Sequence, residues 1–263
     1  MTKYCLEIMY KGRDFFGFQS QKNAITIQDT IEKALHIIFK KHVRICGASR
    51  TDTGVHAFKQ FATFSIDQDF DLQKCLRSLN GLLPKSIGIK NISQVNLTFD
   101  PIRSARTKIY RYRLYTGKCY NPFIRDYVWE VSDKINLESI EQSCKHFIGQ
   151  HDFTSFCSVD SFARSKVREI YDIQCFKRKQ VFEIWFLGGG FLKQMIRIIA
   201  GTLVDVGLAK KEVDDIPEII LSQKREFAGK TAPAKALTLI DISYSAKLSI
   251  EQCYSDFYEG ECF

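Results

Sequence analysis

The hydrophobic pattern opens with KYCLEIMY, residues 3–10, a short apolar run that reads as a strand and is followed by an aromatic loop, GRDFFGFQSQ. The period then changes. Ile27, Ile31, Ala34, Leu35 and Ile38 form one stripe at helical spacing, and Thr26 with Asp29 three positions on resembles a capping box at the helix start. VRIC predicts a strand leading into the polar stretch GASRTDTGVHA, residues 47–57, and QFATFSI a strand leaving it. LQKCLRSLNGLL has a helical pattern that stops at Pro84, and IGIKNISQV reads as a further strand.

TFDPIRSARTK, residues 98–108, has no clear period, and the domain boundary is placed there, dividing residues 1–104 from 105–263. Beyond it KIYRYRLY alternates, with Ile109, Arg111, Arg113 and Tyr115 on one face and Tyr110, Tyr112 and Leu114 on the other. Asn136 caps a helix striped by Leu137, Ile140, Cys144 and Phe147/Ile148. VREIYDIQCF and VFEIWFL predict a strand pair turning at KRKQ. GGGFLKQMIRIIAGTLVDVG reads as a glycine-opened helix that is apolar on most sides, so Lys193 and Arg197 stand out within it. DDIPEIILSQK is a short helix and ALTLIDISY a closing strand. Strands and helices mix in both halves without strict alternation. The expected class is α+β: two mixed domains with largely antiparallel sheets flanking a central cleft.

Composition narrows the function. With 263 residues, 45% hydrophobic and 13% aromatic, the chain can bury a sizeable core. No signal-peptide segment opens it and no stretch approaches eighteen uninterrupted apolar residues, so a soluble, cytoplasmic protein without membrane association is expected. The nine cysteines form no CxxC pair, which argues against zinc ribbons and thioredoxin-like redox sites and fits free thiols in a reducing compartment. No metal site is expected. Net charge is +8, with basic residues interleaved with tyrosine and phenylalanine from Ile102 to Glu130 and again from Arg164 to Arg197. Such a pattern suits a phosphate backbone with exposed bases, and equally a solvated basic face.

Asp52 is the sharpest candidate for chemistry. A loop carboxylate near Arg50, among free backbone amides, is held ionised and can serve as nucleophile or base. By itself RTDTG also fits a turn with a capping aspartate. Its wider setting decides between the two. ASRTDTGVHA resembles the active-site loop of the tRNA pseudouridine synthase A family, whose signature is an RTDxGVHA run. GRDFFGFQSQ, TIQDTIEKAL, SLNGLLPKSIGI, SARTKIYRYRLY, HDFTSFC, GGGFLKQMIRIIAG and TAPAKALTL resemble further family segments in order, covering roughly residues 3–244.

The resemblance implies isomerisation of uridine to pseudouridine in tRNA, most directly at neighbouring positions of the anticodon stem-loop. It implies no cofactor, in keeping with the absence of a Walker loop or GxGxxG fingerprint. It also implies a homodimer. Asp52 matches the catalytic aspartate, which either attacks the ribose C1′ or abstracts a proton. Tyr110 matches the tyrosine that stacks on the flipped uracil, Arg197 the arginine that pairs with the carboxylate, and Leu237 the pocket-lining hydrophobe. Arg50 matches an arginine near the vacated stack. His56 is expected to order the loop or contact RNA rather than act as a base. Phe16, Phe18, Gln19 and Gln21 fit either the RNA entrance or, for the phenylalanines, the core. The sequence departs from the family pattern at Thr53 (commonly Ala), Lys11 (Asp), Phe18 (Trp), Ala236 (Gly) and in the position of Arg103, which bears on substrate choice more than on reaction. Two rival readings are a synthase of the same fold acting on rRNA and a non-catalytic RNA-binding module.

Overall fold

The computed structural model describes residues 1–245 and 248–259. The chain forms two compact units: Met1–Arg106 with Thr238–Tyr244, and Thr107–Leu237 with the chain from Ser245 onward.

In the first unit, strand β1 (Thr2–Tyr10) leads through the 11–26 connection to helix α1 (Ile27–Phe39). The capping box forms: Thr26 Oγ1 accepts from Asp29 N at 3.2 Å and donates to Asp29 Oδ2 at 2.6 Å. The helix buries Ile27, Ile31, Ala34, Leu35 and Phe39, while Ile38 is only half-buried. Phe39 lies four residues after Leu35, and its ring packs on Phe64 and Phe70 as part of an aromatic cluster with Tyr4. Strand β2 is reduced to Cys46–Gly47, short of the VRIC strand expected. Strand β3 (His56–Ile66), helix α2 (Leu72–Leu82, capped by Asp71) and strand β4 (Ile87–Val95) follow. Asp71 Oδ1 accepts from Lys74 N at 3.0 Å, satisfying an amide the helix leaves open. β1 pairs antiparallel with both β3 and β4.

The second unit begins with β5 (Thr107–Tyr115), beside which the two-residue β6 (Trp129–Glu130) runs parallel. Helix α3 (Leu137–Cys144) is capped by Asn136, as expected. Strands β7 (Gly149–Asp152), β8 (Val167–Arg178) and β9 (Val181–Gly188) complete an antiparallel sheet in the order β5–β9–β8–β7. The glycine run does not open a helix. Gly188 ends β9, Gln194 takes a left-handed conformation at φ 61°, and only then does helix α4 (Met195–Gly207) start. Lys193 therefore lies in the connecting loop, half exposed and paired with Asp160 at 2.6 Å, rather than in a buried helix. α4 itself is buried nearly all round, as an apolar helix must be. Helix α5 (Asp215–Ser222) follows.

Strand β10 (Leu237–Ser243) returns to the first unit, where Thr238 and Leu239 pair parallel with His56 and Ala57 of β3. The chain ends its described course in helix α6 (Ile250–Glu259), which covers one face of the second unit's sheet. Tyr254 stacks on Phe176 with centroids 3.9 Å apart, and both Tyr254 and Phe257 flank the fully buried Trp185. The same face buries an ion pair, Arg111 to Glu183 at 3.5 Å, joined by the Tyr258 hydroxyl. Burial, reinforced by neighbouring Arg111, depresses the Arg113 guanidinium to about 9. The fold class is thus α+β with mostly antiparallel pairing.

Candidate active site

The GASRTDTGVHA stretch joins β2 to β3, and its backbone is held from three sides. Gln60 of β3 clasps Ser49, donating to its carbonyl at 2.7 Å and accepting from its amide at 3.2 Å. Thr51, buried, shares a hydrogen bond of 2.7 Å with the Tyr10 hydroxyl. The 11–26 connection closes the third side: Phe18 N donates to Thr51 O at 3.1 Å, and Gly12 N to His56 Nδ1 at 3.2 Å. Gly17 (φ +86°) passes so close that a Cβ there would sit 2.9 Å from Thr51 O. Only a residue without a side chain fits that approach.

Within this frame Asp52 is half-buried and closes a turn, its carbonyl accepting from Val55 N at 3.1 Å. Arg50 and Thr53 are exposed. His56 is buried, and since its Nδ1 accepts a backbone N–H, that nitrogen carries no proton. That bond links the loop to the 11–26 connection. Phe18 is a core residue, 2% exposed, whereas Phe16 is 57% exposed and remains on the surface beside the loop. Tyr10, Gln60 and Gly17 were not singled out from sequence. Their partners lie roughly ten to forty residues away, so no local pattern marks them.

The other sequence-expected residues lie in the second unit. Tyr110 on β5 is buried and meets Phe191 edge-on, with centroids 5.4 Å apart. Arg197, in the first turn of α4, donates from Nε to Ala232 O at 2.9 Å, and Ala232 N donates back to Arg197 O at 3.0 Å. This pair of bonds stitches the TAPAKAL segment to α4. The approach is close: a Cβ at Gly201 would fall 1.7 Å from Lys230 O. Tyr112, placed by alternation on the same face as Tyr110, adds a third tie by donating from its hydroxyl to Pro233 O at 2.9 Å. Burial raises its phenol well above the ordinary value, with Arg197 acting against that rise, so it stays a donor. Leu237 is 6% exposed and follows a short turn, Ala234–Ala236. Ala236 is fully buried with no left-handed backbone, so the residue common there in the family, glycine, is not required. Lys108, two residues before Tyr110, is half-buried, and burial pulls its amine down to about 8.

Among the described residues no helix is long and apolar enough to cross a membrane. Their eight cysteines are free thiols, and burial pushes Cys5 up to about 12 and Cys75 to about 11.

The sequence matches the tRNA pseudouridine synthase family over residues 8–102 and 143–245. Those segments contain Arg50, Asp52, His56, Arg197 and Leu237; Tyr110 falls between them. The chain is 40% identical to a protein of Acetivibrio thermocellus named tRNA pseudouridine synthase A, over 244 residues that make up 93% of this chain and all of the relative. It is 38% identical, with the same coverage, to a Bacillus cereus protein named tRNA pseudouridine synthase A 1. The chain belongs to the tRNA pseudouridine synthase family.

Proposed function

We propose that this protein isomerises uridine to pseudouridine in tRNA, with Asp52 as the working carboxylate. The observation that supports this most is the single half-buried carboxylate on a loop fixed by Gln60, Tyr10 and the 11–26 connection, within the family match. A fixed loop suits a group that must meet one atom of a substrate, since misplacement costs rate. The target base must first leave its stack. The carboxylate then attacks C1′, or removes the ribose C2′ proton so that uracil departs and the sugar is left as a glycal. The C1′–N1 bond breaks, the uracil turns and a C1′–C5 bond forms; C5 gives up its proton and N1 gains one. The reaction is balanced without oxidant, donor or water.

In this reading Tyr110 stacks on the freed uracil, Arg197 pairs with the Asp52 carboxylate, and Leu237 lines the base pocket. Arg50, exposed on the loop, fills the vacated stack, and His56 keeps the loop in shape. Thr238, the residue after Leu237, is the register partner of His56 on β3. The substrate is the anticodon stem-loop, modified at neighbouring uridines, by a homodimer in the cytoplasm, where free thiols stay reduced. Phosphate and shape contacts allow such tolerance of sequence.

The test is Asp52→Asn in the full chain, incubated with a transcribed tRNA and mapped by chemical labelling of pseudouridine. Wild type should give product in the anticodon arm and Asp52→Asn none above background. Product formation by Asp52→Asn at the wild-type rate would sink the assignment. Labelling of total RNA from cells with and without the protein addresses the rivals. A change confined to rRNA would replace tRNA as the substrate, and no change in either would leave a binding module.

A further inference from the structure

The loop between β7 and β8 carries the most exposed large apolar side chain among the described residues, Phe162, with Val159 beside it. Phe162 is 101% exposed and Val159 85%. A free apolar ring in water is no anomaly by itself, but this loop is built rather than slack. Ser158 Oγ and Lys193 Nζ both donate to the Asp160 carboxylate, at 2.5 and 2.6 Å. Ser161 N donates to Ser158 O at 3.0 Å, and Ser158 N to Lys193 O at 3.1 Å. The fold thus orders the turn at Ser158–Ser161 and presents Phe162 immediately after it.

Its place in the unit matters as much. Lys193 belongs to the loop between β9 and α4, four residues before Arg197, and the same loop supplies Phe191 against Tyr110. Two hydrogen bonds therefore fasten the Phe162 loop to the segment that joins Tyr110's neighbour to Arg197's helix. Arg164, exposed, with Lys166 and Arg168 half-buried, follows Phe162 directly, and Asp160 is already occupied by Lys193. A fully exposed ring followed by cations matches the two parts of an unpaired nucleotide, a base with a π-face and an anionic phosphate.

We infer that Phe162 is a stacking platform for a second, unpaired base of the substrate RNA, outside the uridine pocket, with Arg164 and its neighbours on the adjoining phosphates. This inference deepens the proposed function and rests on it. Phe162 acts by positioning RNA, so its loss should appear chiefly in affinity and KM rather than kcat.

The experiment compares Phe162→Ala, Phe162→Leu and Phe162→Trp in the full chain, since a wholly exposed side chain can be changed without disturbing the core. Equilibrium binding of a transcribed tRNA is measured directly, alongside steady-state pseudouridine formation. Removal of a stacking ring should weaken binding roughly five- to a hundred-fold. Phe162→Ala and Phe162→Leu should show that loss, and Phe162→Trp should restore affinity. Wild-type affinity in Phe162→Ala overturns the inference. Full affinity in Phe162→Leu replaces stacking by plain apolar contact and overturns it as well. A change in oligomeric state with unaltered RNA affinity would give the ring to a protein partner instead. If wild type binds tRNA without isomerising it, the proposed reaction fails while the binding comparison still decides this inference.

Discussion

Lys108 illustrates how one residue can carry an electrostatic cost that the strand around it imposes. Alternation put Tyr110 and Tyr112 on one face of β5, and the two-residue step places Lys108 on that face too. Burial there brings its amine to about 8, against an ordinary value of 10.5. Between those values the unfolded chain holds more protons at this site than the folded chain, so stability from this site rises as pH climbs through the window. Below about 8 the cost is present in full. Lys108→Met should therefore stabilise the protein near neutral pH by on the order of 1 kcal/mol. The gain should shrink as pH rises towards 10.5. Urea midpoints of the two proteins at matched pH read this out, and a pH-independent difference would contradict it. At the same scale the motif around Asp52 lies in contiguous residues, whereas the hydrogen-bond partners that hold its loop do not. Thr51 and Tyr10 stand 41 positions apart, and only folding makes them neighbours.

Among elements, helix starts read well because capping is local. Thr26, Asp71 and Asn136 each accept an amide three residues on, a contact contained within four residues of sequence. The start of α4 read badly, because glycines suited to opening a helix serve here to end β9 and turn the chain. The 11–26 connection is the element on which the loop most depends. Gly17→Ala introduces a Cβ 2.9 Å from Thr51 O at a left-handed backbone position. It should cost about 1–3 kcal/mol in denaturant unfolding, with a fall in product formation as the Asp52 loop shifts. Gly81→Ala is the control: its Cβ meets nothing within 4 Å in α2, and it should gain about 0.5–1 kcal/mol. Equal stability of Gly17→Ala and wild type would show that the connection yields without disturbing the loop.

For the molecule as a whole, charge governs the encounter with RNA. A net charge of +8 predicts affinity that falls with added salt as counterions return to the phosphates. Raising monovalent salt from about 50 to about 200 mM should weaken tRNA binding at least tenfold. Fluorescence anisotropy with labelled tRNA measures this directly, and a salt-indifferent affinity would mean that base contacts, not phosphates, dominate. The two-unit organisation belongs to the same scale. The first 106 residues take in strand β10 from beyond residue 237, a pairing between segments some 180 positions apart.

The amino-acid sequence by itself determined most local elements, the α+β class and the family of the chain, because periodicity, caps and a contiguous motif are contained in neighbouring residues. Tertiary structure alone decided what steadies that loop, where Lys193 lies, how Arg197 is tied to the TAPAKAL segment, and which unit receives β10. Each of those depends on atoms brought together by packing. Close approach of backbones at Gly17 and Gly201, and hydrogen bonds across tens of residues, leave no periodic trace in the chain.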